Sequence, residues 1–170
     1  IDIEGAKGGA GDDTIVGTSD ANTIEGGAGN DTLDGGGAGG SQYDYIDGGA
    51  GTEDFVSFSS KDSSININLG LNYSTNDGDG HSFNDADGVV GNYQVAGTDI
   101  NIQIKNVENL EGGTVADKIY GDESDNTLIG LTGEDTFRGG AGDDAIVGGT
   151  VTSYSGSGNW LDLTNGSPNA

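Results

Sequence analysis

The chain contains no cysteine, so disulfide bonds cannot contribute to its stability. Only 31% of its 170 residues are hydrophobic, and its one proline, Pro168, lies near the end. Basic residues are also scarce: five stand against 29 acidic residues, which gives a formal net charge of −24. Taken alone, these values are typical of a disordered chain, because little apolar surface is available to offset chain entropy and the acidic groups repel one another.

These features argue against some partners and some locations of the protein. So acidic a surface makes nucleic acid a poor partner. The sequence has no apolar run long enough to span a membrane and no visible N-terminal signal peptide. It begins at Ile1 rather than Met, from which we expect a piece of a larger protein. Folding requires something that cancels the charge, and divalent cations are the simplest candidate, because hard cations prefer oxygen ligands.

What the sequence does contain is a nine-residue repeat rich in glycine, which occupies 35 positions of the chain. The repeat is clearest at 8–16 (GGAGDDTIV), 26–34 (GGAGNDTLD) and 139–147 (GGAGDDAIV). Looser copies occupy 17–25, 48–56, 112–120, 121–129 and 130–138, residues 35–47 keep the frame with four extra residues, and a degenerate copy from Gly148 ends at Asp162. A fixed period of this kind indicates a solenoid, in which each repeat stacks on its neighbours.

We therefore expect an all-β solenoid in which residues 1–170 form a single module. Its parts are a first repeat block at 1–56, a spacer at 57–106, a second block at 107–162 and a tail at 163–170. Within the spacer, SININL at 64–69 and DINIQI at 99–104 alternate apolar and polar residues, which predicts half-buried strands. Residues 76–88 between them are typical of a polar loop, and no segment predicts a helix.

Each repeat combines a glycine-rich turn, an acidic or amide residue at its sixth position and an apolar residue at its eighth. We expect the eighth residues to lie on short strands and to point inward as a thin stacked core. These residues are Ile15, Ile24, Leu33, Ile46, Phe55, Ile119, Leu128, Phe137, Ile146 and Leu161. If one repeat makes half a coil, residues 18 positions apart stack on the same side.

The sixth residues then form stacks of oxygen ligands. Carboxylates stacked at roughly 5 Å, the spacing of neighbouring strands, would repel each other unless a cation lay between them. Such a cation would take carboxylate oxygens from two coils and carbonyl oxygens from the glycine turns, on the order of six oxygens, which suits calcium better than magnesium. The predicted side-chain ligands are Asp13, Asp31 and Glu53 on one side, and the pairs Asn22 with Asp44, Asp117 with Asp135, and Asn126 with Asp144. The predicted carbonyl ligands belong to Gly8, Ala10, Gly26, Gly27, Ala28, Gly29, Gly49, Gly51, Gly121, Glu123, Gly140 and Gly142.

The three clearest copies match GGxGxDxUx, the haemolysin-type calcium-binding nonapeptide, at every defined position, and on that ground the chain resembles the RTX family of secreted proteins. The spacer is similar as well, since EDFVSFSS, SININL and VENLEG resemble segments between RTX blocks. The resemblance implies a right-handed parallel β-roll with calcium bound in the turns on both faces. It also implies type I secretion, in which the chain leaves calcium-poor cytosol unfolded and folds in calcium-rich medium.

Several repeats depart from this pattern. Asn22 and Asn126 replace aspartate and supply less charge, and Glu53 replaces it with a longer side chain. Val115 and Ser124 stand where the fourth glycine of the repeat belongs. We expect the calcium sites beside these turns to be weaker, completed by water or empty.

The spacer loop contains four more acids, Asp77, Asp79, Asp85 and Asp87, which allow an extra calcium loop as one hypothesis. They do not fit an EF-hand, and a solvated loop is the preferred interpretation. The single histidine, His81, has no catalytic partner signalled in the sequence, so a surface position is favoured.

The pattern as a whole predicts a non-enzymatic, calcium-binding module that folds and stiffens outside the cell or at its surface. No catalytic residue is predicted. We expect Trp160 to lie on an edge strand or to be covered by a further domain, rather than to form a carbohydrate-stacking platform. The expected partners are calcium ions, on the order of five to eight of them, and the type I secretion machinery. Two alternatives stay open. One is part of an adhesin, surface-layer protein or toxin that binds a cell surface or glycan, and the other is the accessory tail of a secreted protease, lipase or alginate-modifying enzyme.

Overall fold

The computed structural model describes residues 4–36, 44–61, 64–69, 93–95, 98–100 and 103–148. Within these ranges the chain forms short strands and no helix, as the repeat predicts. The strands are β1 (Gly5–Lys7), β2 (Thr14–Val16), β3 (Thr23–Ala28), β4 (Thr32–Asp34), β5 (Tyr45–Ala50), β6 (Phe55–Ser57), β7 (Asn66–Asn68), β8 (Tyr93–Val95), β9 (Thr98–Ile100), β10 (Gln103–Lys105), β11 (Asn109–Glu111), β12 (Lys118–Tyr120), β13 (Thr127–Ile129), β14 (Thr136–Arg138) and β15 (Ala145–Val147). No helix in the described ranges is long and apolar enough to cross a membrane.

The strands stack in parallel, and successive strands of a repeat block alternate between two faces. In the described part of the chain, one face is a six-stranded sheet with the order β15-β13-β11-β6-β4-β2, called the long sheet below. The other face carries β1-β3-β5-β10 and β14-β12-β7, while β8 and β9 form a separate antiparallel pair. Partners in regular repeats lie 18 residues apart, as in Ile15 with Leu33 and Leu110 with Leu128. Half a coil per repeat, a parallel β-solenoid and an all-β fold are therefore confirmed.

The space between the two faces is filled by one apolar side chain from nearly every strand. Seven of the predicted inward residues are buried: Ile24, Leu33, Ile46, Ile119, Leu128, Phe137 and Ile146. Ile15, on the terminal strand β2, is only partly buried. The predicted strand at 64–69 is also confirmed, since Ile65, Ile67 and Leu69 are all buried. Leu161, Trp160, His81 and the loop 76–88 lie outside the described residues.

One predicted register is wrong by a single residue. Val56, not Phe55, pairs with Leu33 and is completely buried, while Phe55 is half-buried. The corresponding positions of these two coils are 23 residues apart rather than 18, which is one more than the four extra residues of 35–47 explain. Because side chains of a strand alternate between faces, a shift of one residue exchanges the buried and exposed sets.

The spacer does not separate the two blocks. β6 of the first block pairs directly with β11 of the second, in a register that aligns Val56 with Leu110 across 54 residues, three times the regular separation. The spacer also supplies β10, which pairs with β5, and β7, which pairs with β12. The earlier spacer strand thus joins the second block and the later one joins the first. This region, where β6, β7, β10 and β11 meet the two blocks, is called the junction below.

Candidate metal centres

Two series of turns connect the faces of the solenoid. The leading turns precede the strands of the long sheet and comprise 8–13, 26–31, 48–54, 106–108, 121–126 and 139–144. The trailing turns follow those strands and comprise 17–22, 35–44, 58–65, 112–117 and 130–135, of which 37–43 and 62–63 lie outside the described residues. Each regular turn ends on the sixth residue of its repeat, so both series place a candidate ligand directly before a strand.

The structure brings the four predicted pairs of sixth residues together. In each pair, a side-chain Oδ1 accepts the backbone N–H of the equivalent residue one coil earlier. The donor and acceptor residues are Asp13 and Asp31 at 2.8 Å, Asn22 and Asp44 at 2.9 Å, Asp117 and Asp135 at 2.9 Å, and Asn126 and Asp144 at 3.0 Å. This bond sets the orientation of each carboxylate and engages only Oδ1, so Oδ2 remains available for another partner.

Asp54, not Glu53, continues the stack of Asp13 and Asp31. Its Oδ1 accepts the Asp31 N–H at 2.8 Å, and the residue is 1% exposed, whereas Glu53 is exposed. The placement of Glu53 in this stack is therefore wrong, for the same register reason that exchanges Phe55 and Val56. The adjacent acids of TEDFV fit the repeat in either frame, so the pattern alone could not separate them.

Glu108 extends the same stack across the junction, although the sequence reasoning did not single it out. Its Oε2 accepts the Asp54 N–H at 2.9 Å, and the N–H groups of Glu108 and Asn109 donate to the Asp54 carbonyl at 3.2 and 3.0 Å. The available signal was its position two residues before the apolar Leu110, which is the spacing between the sixth and eighth residues of a repeat.

Four buried carboxylate oxygens have no hydrogen-bond partner among the described residues: Oδ2 of Asp31, Asp54, Asp135 and Asp144. Each belongs to a carboxylate whose Oδ1 is already bonded to the neighbouring coil. A buried polar oxygen without a partner costs about 1–3 kcal/mol, and more when it is charged. A cation at each position would remove that cost, so this set of oxygens fits a metal ion.

Carbonyl oxygens converge on the same positions, where the first glycine of each repeat leaves room. A β-carbon on Gly112 would lie 2.5 Å from Asp117 Oδ2 and 3.1 Å from the carbonyl oxygen of Gly130. A β-carbon on Gly26 would collide with Asp31 Oδ2 and with the carbonyl oxygen of Gly48. Carboxylate and carbonyl oxygens of successive coils therefore face one small space that only glycine keeps open.

The predicted carbonyl ligands are placed in two ways. The carbonyl of Gly26 lies against Gly8 of the preceding coil, and those of Gly27 and Gly29 lie against Gly49 and Gly51 of the next coil. The carbonyl of Ala28 accepts the Gly11 N–H at 2.5 Å, so it already has one bond within the sheet. Gly27 has a φ of 125°, a conformation that favours glycine and that positions the turn against the neighbouring coil.

The two asparagines of the stacks are satisfied differently from the aspartates. The Nδ2 group of Asn22 donates to the carbonyls of Thr18 at 3.3 Å and Gly35 at 3.2 Å, and also to that of Asp20. The Nδ2 group of Asn126 donates to the Glu108 carbonyl at 2.8 Å. An amide N–H therefore points at carbonyl oxygens in these two turns, which supports the expectation of weaker ion binding there.

Burial raises the pKa of most of the stacked acids. It raises the pKa of Asp117 to about 6, and it also raises the pKa values of Asp44, Asp54, Asp135 and Asp144. Burial disfavours a carboxylate that no positive charge compensates. These sites therefore favour any state that supplies positive charge, whether a proton or a metal cation.

The donor set suits a hard cation. Within the described ranges, no group of three His, Cys, Asp or Glu side chains converges on one point. Each candidate centre instead combines one or two carboxylates with backbone carbonyls, which is a donor set that calcium accepts in its coordination shell of six to eight oxygens.

Comparison with known families gives one match. Residues 7–38, 107–136 and 120–150 match the family model described as the RTX calcium-binding nonapeptide repeat (4 copies). No curated protein matches the chain significantly. The matched segments contain leading and trailing turns of both blocks, and the ion that these repeats bind, at multiple sites, is calcium. Residues 7–38 and 107–150 therefore carry RTX calcium-binding nonapeptide repeats, which indicate a calcium-binding structural module.

Proposed function

We propose that the chain is the calcium-dependent part of a secreted protein and that calcium triggers its folding outside the cell. The observation that supports this most directly is the set of buried, unpaired Oδ2 atoms on Asp31, Asp54, Asp135 and Asp144. They show where folding buries negative charge that the described protein groups leave uncompensated. A ligand that binds only the folded chain stabilises it, so the calcium-binding energy becomes folding energy.

We propose the stacked acids as the side-chain ligands, with Asp54 replacing Glu53 in the predicted set. They are Asp13, Asp31 and Asp54 in the leading turns of the first block, Asp144 in those of the second, and Asp117 and Asp135 in the trailing turns, whereas the charge of Asp44 is acted on by the Lys61 ammonium group. Bound calcium would supply the positive charge that these carboxylates lack. In Asp31, Asp54, Asp135 and Asp144, Oδ1 fixes the carboxylate to the neighbouring coil and Oδ2 has no partner among the described residues. In Asp13 and Asp117, Oδ2 instead accepts the N–H of Gly9 and of Gly113 in the same turn, both at 2.7 Å.

The location follows from the proposed trigger. A chain that cannot compensate its net charge of −24 without calcium stays unfolded where calcium is scarce and folds where it is abundant. We therefore propose an extracellular or cell-surface location and export by type I secretion as an unfolded chain. We propose no catalytic role, because the acids recur at a fixed period along the solenoid instead of meeting in one cleft.

The test is circular dichroism of the whole chain, titrated with calcium from an EDTA-treated state. We expect little strand signal without calcium and a cooperative gain as calcium is added. Magnesium at the same concentration is the control and should restore little of the signal, because it retains its waters and requires stricter geometry. A strand signal that is unchanged in EDTA would refute calcium-triggered folding.

A further inference from the structure

The sequence of one trailing turn at the junction, 58–65, has no glycine and no acid at the sixth position, and yet its described residues stack in the series. In the turn 58–65, Phe58 stands at the position of the first glycine and Ile65 at that of the sixth residue. Ile65 keeps the backbone role of a sixth residue, because its N–H donates to Asp117 Oδ1 at 2.8 Å. This turn offers no carboxylate at the sixth position, although the preceding trailing turn, 35–44, carries Asp44 there.

Lys61 reaches from this turn into the preceding one. The residue is only 4% exposed, and its ammonium group donates to the carbonyl oxygen of Gly36. Among the described acids, Asp34 and Asp44 act on its charge. Lysine is almost never fully buried unless it is paired, because removing an ammonium group from water is costly.

The backbone around Lys61 is fixed from both sides. Its N–H donates to the Phe58 carbonyl at 2.8 Å, and its carbonyl oxygen accepts the N–H of Thr114, in the following trailing turn, at 3.3 Å. On the other side, Asp34 Oδ1 accepts the Gly36 N–H at 2.7 Å and the Ser60 hydroxyl at 3.3 Å. The lysine therefore bridges three successive trailing turns: its backbone belongs to the middle one and its side chain ends on the earlier one.

We infer that the Lys61 ammonium is a built-in cation that takes the place of a calcium ion between the trailing turns 35–44 and 58–65. Like a candidate calcium, it contacts a carbonyl oxygen of a glycine turn, that of Gly36, and the N–H of the same glycine donates to Asp34 Oδ1 at 2.7 Å. An ammonium group is a compact positive charge with three donors, which can face several oxygens at once. The blocks are thus joined on this side by a protein charge, and calcium is needed only in the repeats on either side.

Burial and neighbouring charge act on Lys61 in opposite directions. Burial lowers the pKa of the ammonium group, while the carboxylates of Asp34 and Asp44 raise it. Burial raises the pKa of Asp44, and Lys61 acts against that shift. Each group therefore favours the charged form of the other, which is the relationship expected of a carboxylate and its counter-ion.

This inference rests on the proposed calcium role of the neighbouring turns, and its test separates the two. Since the chain contains no cysteine, Lys61→Cys creates a unique thiol that can be alkylated in the unfolded, calcium-free chain. Alkylation with bromoethylamine restores an ammonium group on a side chain of lysine length, and alkylation with bromopropane gives a neutral side chain of the same length. The measurements are the number of calcium ions bound at saturation, by native mass spectrometry, and the calcium concentration at half-maximal strand signal.

We expect the ammonium form to match the unmodified chain in both measurements. The neutral form should bind one more calcium ion and need roughly two- to tenfold more calcium for half-maximal folding, because a new ion must fill the position. Lys105→Met is the control, since it removes the same charge from an exposed ion pair with Asp47 (Nζ to Oδ2, 3.2 Å).

Each outcome decides the inference. Equal behaviour of the neutral and ammonium forms overturns it, and so does an ammonium form as impaired as the neutral one, because packing rather than charge would then matter. A neutral form that fails to fold even at saturating calcium, beside an ammonium form that folds, supports it. Failure of the unmodified chain to require calcium would instead refute the proposed function, and the comparison of the two alkylated forms by thermal unfolding would still report on the charge.

Discussion

The repeat turns and the junction hold successive coils together with different chemical groups. In the repeats, Asp31 and Asp135 each fix one carboxylate oxygen to the neighbouring coil and leave the other buried without a partner. At the junction, side chains take over: Ser57 Oγ donates to Glu111 Oε2 at 2.6 Å, and the Lys61 ammonium group donates to the Gly36 carbonyl. The repeats therefore bury carboxylate oxygens that the described residues leave unpaired, whereas the described contacts at the junction are made by the chain's own polar groups.

The comparison explains how a spacer can interrupt the repeat without dividing the solenoid. The segments directly after β6 (58–61) and directly before β11 (106–108) contain no glycine, and yet the two strands pair in the register of the repeat. The stack of sixth residues also continues through Asp54 and Glu108. We expect the two blocks to fold cooperatively, because the long sheet and its acid stack cross the junction.

The largest effect should come from filling the space beside the first glycine of a repeat, which carboxylate and carbonyl oxygens face. Gly26→Ala would place a β-carbon against Asp31 Oδ2 and the Gly48 carbonyl, so we expect a loss of about 1–3 kcal/mol, as in an overpacked core, and a higher calcium requirement. Gly9→Ala is the matched control, because a β-carbon there meets nothing within 4 Å. Urea unfolding at saturating calcium measures the loss of stability in each variant. If the two variants lost the same free energy of unfolding, the first glycine would not be needed to leave room beside the candidate ligands.

A second comparison lies at the border between block and junction. Asp54→Asn replaces a buried carboxylate whose Oδ2 has no partner in the described part of the chain, so the calcium midpoint of folding should rise several-fold. Glu53→Gln removes the same charge from the exposed neighbour and should leave the midpoint near that of the unmodified chain. If Glu53→Gln raised the calcium midpoint more than Asp54→Asn does, Glu53 would be the sixth residue of its repeat, as the spacing alone predicts. That result would contradict the register of β6.

These two residues also show how far the sequence can predict the fold. The strict spacing of Asp13 and Asp31 was enough to predict stacked coils and inward eighth residues, because each feature depends on a local period. The frame at Glu53 and Asp54 was not predictable, since two adjacent acids are followed by two adjacent apolar residues and both frames satisfy the pattern. The roles of Lys61 and Glu108 depend on contacts across the junction, which no local spacing encodes.

A change of pH should separate calcium binding from folding in the repeats. The raised pKa of Asp117, about 6, means that the ion-free folded state holds a proton that the unfolded state releases near its ordinary value of 3.8. This proton's contribution to ion-free stability is fully present below about pH 3.8 and is lost as pH rises through about 6. Between these values, we expect acid to strengthen residual strand signal in EDTA.

The same protons compete with calcium, so the calcium concentration at half-maximal folding should rise as pH falls from about 7.5 to 5.5. Circular dichroism titrations at three pH values, at constant ionic strength, measure both trends. A calcium midpoint that is independent of pH across this range would indicate that the buried acids, including Asp135 and Asp144 with their raised pKa values, are not the ligands.

The smallest effect should come from charges on the outer surface of a sheet. Lys7 forms an ion pair with Glu25 across β1 and β3, and both side chains are substantially exposed, so water and salt screen their attraction. We expect Lys7→Met to leave the calcium midpoint and the urea midpoint unchanged within error, even though it alters net charge as Lys61→Met does. If Lys7→Met and Lys61→Met shift the calcium midpoint equally, the calcium requirement depends on net charge alone. The junction would then not differ from the repeats in how it is stabilised. A shift confined to Lys61→Met would instead show that the position of a positive charge, between two particular coils, decides how much calcium the solenoid requires.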